Sequence, residues 1–268
     1  MKKAILAASF GTTFPDTLER TIAAIEADLA KAFPDRVLRR AFTSGMVIRR
    51  LRQREGLETD TVPQALERLR REGCGDIIIQ PTHVMNGDEY DKLRALAAPY
   101  RTAFSRFALG APLLTSTQDC RETAAALLAR LPEQEPRQAV VLMGHGTVHH
   151  ANAVYAALEY VLRDAGRRDV AIGTVDGYPE FGEICRRLEE MGGIRQVVCL
   201  PLMVVAGDHA RNDLAGGEGS WCARLAARGY RVRCILEGLG ENPAIRAIFV
   251  RHAREAAEYT PLTEEGTS

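Results

Sequence analysis

An apolar run that breaks into a Gly-Thr turn occurs twice in this chain. Near the start it reads Ala4-Ile5-Leu6-Ala7-Ala8-Ser9-Phe10-Gly11-Thr12, and later Ala139-Val140-Val141-Leu142-Met143-Gly144-His145-Gly146-Thr147. Two further stretches repeat in the same order. Ala41-Phe42-Thr43-Ser44-Gly45 is answered by Gly173-Thr174-Val175-Asp176-Gly177. Pro81-Thr82-His83-Val84-Met85-Asn86-Gly87-Asp88-Glu89 is answered by Pro201-Leu202-Met203-Val204-Val205-Ala206-Gly207-Asp208-His209. The chain must therefore fold as a duplicated scaffold. Its matched turns differ in chemistry, with Phe10 against His145, Ser44 against Asp176, and Glu89 against His209.

Short β-branched runs alternate with longer stretches of helical period. Strands are predicted at 3–9, 36–43, 76–82 and 106–109, then at 138–144, 169–175, 195–202 and 230–236. Helices are predicted near 15–33, 46–54, 62–72, 88–98, 118–130, 149–165, 179–191, 208–228 and 243–258. Such alternation implies parallel sheets with helical crossovers. Continuous runs such as Ile77-Ile78-Ile79 suit strands covered on both faces. The expected fold is α/β: two similar halves, each a four-stranded parallel sheet flanked by helices. The polar, proline-punctuated segment Leu131–Arg137 marks their boundary, giving an N-terminal half over 1–133 and a C-terminal half over 134–260. Helix 243–258 is expected to cross back onto the first half, and 261–268 to form a mobile tail.

At 268 residues, 46% hydrophobic and 26% charged, the chain has the composition of a globular protein with a sizeable core. Lys plus Arg (35) balances Asp plus Glu (35). That argues against nucleic-acid binding driven by a global basic field. No apolar stretch is long enough to span a membrane. The opening Met1-Lys2-Lys3 and its short apolar run lead into Gly11-Thr12-Thr13 without a small-residue cleavage site, and the same run recurs at 139–147, so it is expected to be the first strand and not a signal peptide. Six scattered cysteines without a CxxC pair suit reduced thiols in a cytoplasm. Oligomeric state is not legible, and a homo-oligomer is compatible with the sequence.

In open parallel sheets, ligands bind at the carboxyl ends of the strands, and all six mismatched turn positions fall there. His145, Asp176 and His209 together offer two imidazoles and a carboxylate, a set suited to a divalent transition metal with open coordination positions. A lone turn histidine would more simply cap a helix. It is the trio, placed by the repeat, that favours a metal site. Glu89 is expected to face that set from the other half, whereas Asp88 and Asp208 are assigned to the helix starts, where the dipole favours acids. His83 reads equally as a packed histidine or a ligand, His149 and His150 rank below His145, and His252 is expected on the solvated surface. Ser9, Thr12 and Thr13, with Thr147, lie on turns feeding helix N-termini. They can cap those helices, bind anions, or both. Neither G-x-G-x-x-G, the P-loop pattern nor G-x-S-x-G occurs.

In combination, Ser9-Phe10-Gly11-Thr12-Thr13, Gly144-His145-Gly146-Thr147 with His149-His150-Ala151-Asn152, Gly173-Thr174-Val175-Asp176-Gly177-Tyr178-Pro179 and Gly207-Asp208-His209-Ala210-Arg211-Asn212-Asp213 resemble the anaerobic cobalt chelatases of the CbiK family, class II chelatases. The resemblance covers all but the C-terminal tail. It implies two α/β halves and ATP-independent insertion of Co²⁺ into sirohydrochlorin or precorrin-2 on the anaerobic route to cobalamin, with no organic cofactor. It also implies a metal bound by His145, His209 and the acidic residue of the T-V-x-G-Y-P motif. That residue is glutamate in the family and Asp176 here, one methylene shorter. Periplasmic relatives carry a signal peptide, so the cytoplasmic form is the expected match.

Metallation requires two pyrrole protons to leave as the ion enters. Neutral imidazole can both hold a metal and accept a proton. The expected roles are metal binding and proton acceptance at His145, ion holding at His209 and Asp176, and proton acceptance or metal shuttling at Glu89. Ser9, Phe10, Thr12 and Thr13 are expected to contact the tetrapyrrole. The donor set does not select Co²⁺ over Fe²⁺, Ni²⁺ or Zn²⁺. An iron or nickel chelatase on the same ring, a protoporphyrin ferrochelatase, and a non-catalytic metal or tetrapyrrole carrier are the competing readings.

Overall fold

The computed structural model describes residues 1–258, so the expected mobile tail at 261–268 lies outside the described residues. All eight predicted strands form: β1 (Lys2–Ser9), β2 (Val37–Phe42), β3 (Cys74–Pro81) and β4 (Arg106–Leu109), then β5 (Gln138–Gly144), β6 (Val170–Thr174), β7 (Gln196–Pro201) and β8 (Arg231–Cys234). They build two four-stranded sheets of the same order, β2-β1-β3-β4 and β6-β5-β7-β8. Every pairing is parallel, with Ala4 opposite both Val37 and Ile77 in one sheet and Val140 opposite Val170 and Val198 in the other. Residues 4–9 of β1 and all of β5 are buried, as continuous apolar runs at the centre of a covered sheet should be.

The helices are α1 (Pro15–Leu18), α2 (Ala24–Ala32), α3 (Gly45–Glu55), α4 (Val62–Arg71), α5 (Asp88–Ala97), α6 (Thr117–Leu128), α7 (Val154–Asp164), α8 (Phe181–Met191), α9 (Trp221–Ala226) and α10 (Pro243–Glu258). Capping boxes at Thr61/Gln64 and Ser116/Asp119 start α4 and α6. Two predicted helices are interrupted. The 15–33 stretch passes through a π-helical turn at Glu19–Ala23. The 208–228 stretch makes only a π turn at Ala210–Leu214 before the glycine-rich Gly216–Gly219 breaks it, and Ser220 then caps the short α9.

Helix α10 crosses back and packs on α2, α6 and β3 of the first half. Its Ile245, Ile248 and Phe249 join Ile5, Leu29 and Ile78 in the same core as Val140, Leu142 and Leu158, so one apolar core runs through both halves. This placement overturns the expectation of a solvated His252. The ring is 2% exposed, with Nδ1 3.1 Å from the Ala111 carbonyl and Nε2 2.9 Å from Asp119 Oδ1. Arg251 donates to the same Asp119 oxygen at 2.5 Å. Burial works to raise the Asp119 carboxyl, but the hydrogen bonds from His252 and Arg251 hold it well below the usual carboxylate range.

Candidate active site

In each sheet the first strand lies between the second and the third. The turns after the first and third strands therefore part, opening the crevice at which parallel sheets bind ligands. The two crevices meet. The turns after β1 and β3 face those after β5 and β7 across a shared cleft of about 550 Å³. Gly11 and Gly146 occupy the matching first turns at φ of +99° and +81°. A Cβ on Gly11 would lie 2.6 Å from the Phe42 ring, and one on Gly146 2.6 Å from Thr174 Cβ. Glycine is needed at both places for conformation and for space.

The second half contributes His145, Asp176 and His209 to the cleft lining. Backbone hydrogen bonds tie the turn after β6 to the turn after β5: the Val175 and Asp176 N–H groups donate to the His145 carbonyl at 3.0 and 2.8 Å. Asp176 Oδ2 stands 3.6 Å from His145 Nε2. The His145 and His209 rings meet edge to face with centroids 4.5 Å apart. Each imidazole uses Nδ1 elsewhere, His145 on the Gly146 carbonyl at 2.9 Å and His209 on Asp213 Oδ2 at 2.7 Å. An Nδ1–H donor on both rings leaves each Nε2 lone pair for a metal. The three side chains remain open, at 48%, 59% and 40% exposed for His145, Asp176 and His209. Among the described residues no group of three or more His, Cys, Asp or Glu side chains is gathered into a metal-holding cluster, so the trio forms an open dish, not a closed cage.

The first half supplies Ser9, Phe10, Thr12, Thr13 and Glu89 to the same lining. Glu89 Oε2 accepts from Thr43 Oγ1 at 2.9 Å, and Lys92 Nζ lies 3.5 Å from Oε1. Ser9 and Thr12 are buried with their hydroxyls engaged: Thr82 Oγ1 donates to Ser9 Oγ at 2.8 Å, and Thr12 Oγ1 accepts the Phe14 N–H at 3.3 Å. Phe10, 42% exposed, offers its ring to the cleft. Ser44, the counterpart of Asp176, is absorbed in capping α3 through the Val47 N–H.

Asp88 and Asp208 do more than the expected service at helix starts. Asp88 accepts from Thr147 Oγ1 at 2.5 Å and Asp208 pairs with Arg50 at 3.1 Å, both across the seam between the halves. Their turns face the opposite half, which supplies the partners. His83 lines the cleft, yet both ring nitrogens are shut away without a hydrogen-bond partner among the described residues. Burial, with help from the Lys92 charge, pushes its imidazole down to about 4 and keeps it neutral. His149 Nδ1 accepts the Ala151 N–H, and its Nε2 lies 3.6 Å from Asp91. Neither His149 nor His150 is part of the lining.

Sequence reasoning misses four supporting residues: Asp213, Asn152, Tyr155 and Thr43. Asp213 follows His209 by four residues, a one-turn spacing that could signal it. Asn152 Oδ1 accepts the Thr147 N–H at 3.1 Å while its Nδ2 donates to the Tyr178 carbonyl at 2.5 Å, pinning the turns after β5 and β6 together. The Tyr155 phenol sits beneath the His145 turn, where burial raises it to about 12 despite hydrogen bonds from the Gly146 and His145 backbone.

Two four-stranded parallel sheets of one strand order that meet at a cleft form a fold found in other solved structures. Two solved structures share it over nearly the whole chain: SirB from Bacillus subtilis with Fe³⁺ (TM-score 0.64, 16% identity, 96% of each chain) and CbiX, the terminal enzyme of siroheme biosynthesis in denitrifying bacteria (TM-score 0.57, 18% identity, 95% of this chain and 99% of that one). The family model for cobalt chelatase (CbiK) matches residues 3–258, and the chain belongs to that family. It is 48% identical to a sirohydrochlorin cobaltochelatase of Salmonella typhimurium over 96% of this chain and 97% of the relative. It is 37% identical to the sirohydrochlorin cobaltochelatase CbiKC of Nitratidesulfovibrio vulgaris, over 95% of this chain and 90% of the relative.

Proposed function

We infer that this chain is a sirohydrochlorin cobaltochelatase, a metal chelatase of the lyase class that inserts Co²⁺ into sirohydrochlorin, or precorrin-2, without ATP in cobalamin biosynthesis. The observation that carries the reading is the pair His145 and His209, both turned so that Nε2 is free in a cleft wide enough for a ligand, in a chain of the cobalt chelatase family. The half over 134–260 holds the ion and the half over 1–133 seats the ring. Co²⁺ rests on His145, His209 and Asp176, loosely, because an open dish must give the ion up. The apolar tetrapyrrole plane packs on Phe10 in the turn that includes Ser9, Thr12 and Thr13.

As the ion enters, two pyrrole N–H bonds break and two protons leave. The His145 Nε2 lone pair cannot serve a metal and a proton together. Transfer of the ion to the ring nitrogens frees it to accept one proton. Glu89, steadied by Thr43 and Lys92, accepts the other. No helix among the described residues is long and apolar enough to cross a membrane. The six cysteines are free thiols, which suits a reducing compartment, and we assign the enzyme to the cytoplasm.

The test is anaerobic: mix purified protein with excess sirohydrochlorin and Co²⁺ and follow the absorbance change of metallation. Turnover beyond one ring per chain is expected, and stoichiometric binding alone would make the protein a carrier. His145→Ala should abolish turnover, and undiminished activity would remove His145 from the mechanism.

A further inference from the structure

The ionisable groups lining the cleft are the carboxylates of Asp88, Glu89, Asp176 and Asp208, the imidazoles of His83, His145 and His209, and the buried phenol of Tyr155. Among the described residues no Arg or Lys stands in the lining. That field draws a divalent cation inward and repels a polyanion. A tetrapyrrole bearing carboxylates around its whole edge must therefore find its cations outside the lining. Two guanidiniums stand there, each bridging the seam between the halves. Arg50 of the first half holds Asp208 of the second at 3.1 Å, and both are nearly half exposed at the mouth. Arg211 of the second half holds Asp16 of the first at 3.0 Å and Thr17 Oγ1 at 3.3 Å. It lies 4.1 Å over the ring of Phe14, itself part of the lining.

We propose that Arg50 and Arg211 are exchangeable carboxylate receptors, holding Asp208 and Asp16 in the free protein and the ring's peripheral carboxylates in the complex. This rests on the tetrapyrrole reading of the cleft. Exposed pairs of this kind are weak, so a carboxylate brought in by an apolar ring can displace them. Each guanidinium makes a single contact to its aspartate, Arg50 to Asp208 and Arg211 to Asp16, and its fork can donate to an incoming carboxylate through two N–H groups. Stacking on Phe14 keeps Arg211 in place while it changes partner. The cleft then recognises an apolar plane in its interior and carboxylates at its rim, a specificity for polycarboxylate over sparsely carboxylated rings.

Steady-state kinetics on the full chain, with sirohydrochlorin varied at saturating Co²⁺, separate this from a merely structural latch. Arg50→Gln and Arg211→Gln should each raise KM for the tetrapyrrole about tenfold, or about 1.4 kcal/mol, with kcat changed little. Asp208→Asn and Asp16→Asn should lower it, because they remove the competing carboxylate and free the cation. Opposite signs from the two partners of one pair are the signature. A latch predicts the same sign from both, and that result, or KM within twofold of wild type in the arginine variants, overturns the proposal. Arg50→Lys, keeping charge without the fork, should fall between. Wild-type protein that fails to metallate sirohydrochlorin would instead remove the reading on which the proposal rests.

Discussion

Asp213 is the residue whose substitution tests how the proposed metal site is held. It is not part of the cleft lining, and it meets the site through the 2.7 Å bond to His209 Nδ1. A neutral His209 that donates Nδ1–H to this carboxylate carries its lone pair on Nε2, and the bond sets the direction in which that lone pair points. Asp213→Ala removes both constraints, and Asp213→Asn keeps an acceptor but loses the charge. Loss of such an outer partner costs metal affinity about 10- to 100-fold, or roughly 1.4–2.7 kcal/mol. Asp213→Ala should show the upper part of that range and Asp213→Asn the lower. The pair is an i,i+4 contact with both side chains about 40% exposed, so it contributes only about 0–1 kcal/mol to folding. The melting temperature should move by no more than roughly 4 °C. Calorimetric Co²⁺ titration of wild type and both variants, with melting curves alongside, reads all three quantities. Affinity within twofold of wild type in Asp213→Ala would refute the claim that this carboxylate prepares His209.

Asp119→Ala should destabilise the protein by about 3–5 kcal/mol, because it strands Arg251 and buried His252 at the contact between α6 and α10. A lowered urea midpoint is the measure. The Asp119 carboxyl is depressed in the folded state. Its stabilisation is complete above the unfolded carboxylate value of about 3.9 and disappears as pH falls through the lower folded value. Acid unfolding curves should therefore be shallower for Asp119→Asn than for wild type. Gly146→Ala forces a side chain into φ of +81° against Thr174 and Gly177, a strain of about 1–3 kcal/mol. It should weaken Co²⁺ binding as the His145 turn shifts, read by the same titration.

What is legible in the sequence is what periodicity and repetition encode. All eight strands stand out because covered parallel strands are continuous apolar runs, and the duplication by itself puts His145, Asp176 and His209 at equivalent strand ends. Glycine placement is harder to read. The run Gly216-Gly217-Glu218-Gly219 breaks the helix, but the apolar period on either side masks it. His252 misleads because its neighbours Arg251 and Arg254 suggest a solvated face. Its burial depends on α10 crossing to the other half, a tertiary fact. The partners of Asp88 and Asp208 are hidden for the same reason, since Thr147 and Arg50 reach them only across the seam.

The asymmetry of the two halves follows from what metal transfer demands. Ligands shared between halves would change their spacing whenever the cleft breathed. Here all three candidate ligands rise from one sheet, and the Asp176 N–H bond to the His145 carbonyl ties two of their turns directly. On the proposed reading the facing half takes up the ring while these turns hold the ion. The continuous core and α10 limit how far the halves part, so the cleft is largely formed before either substrate arrives. Glu89, the proposed second proton acceptor, belongs to the half proposed to seat the ring and is linked through Thr43 to the turn after β2. A duplicated scaffold gives two walls of equal geometry. In the proposed mechanism His145 and His209 on one wall and Phe10 with Glu89 on the other give the cleft a direction, ion from one side and macrocycle from the other.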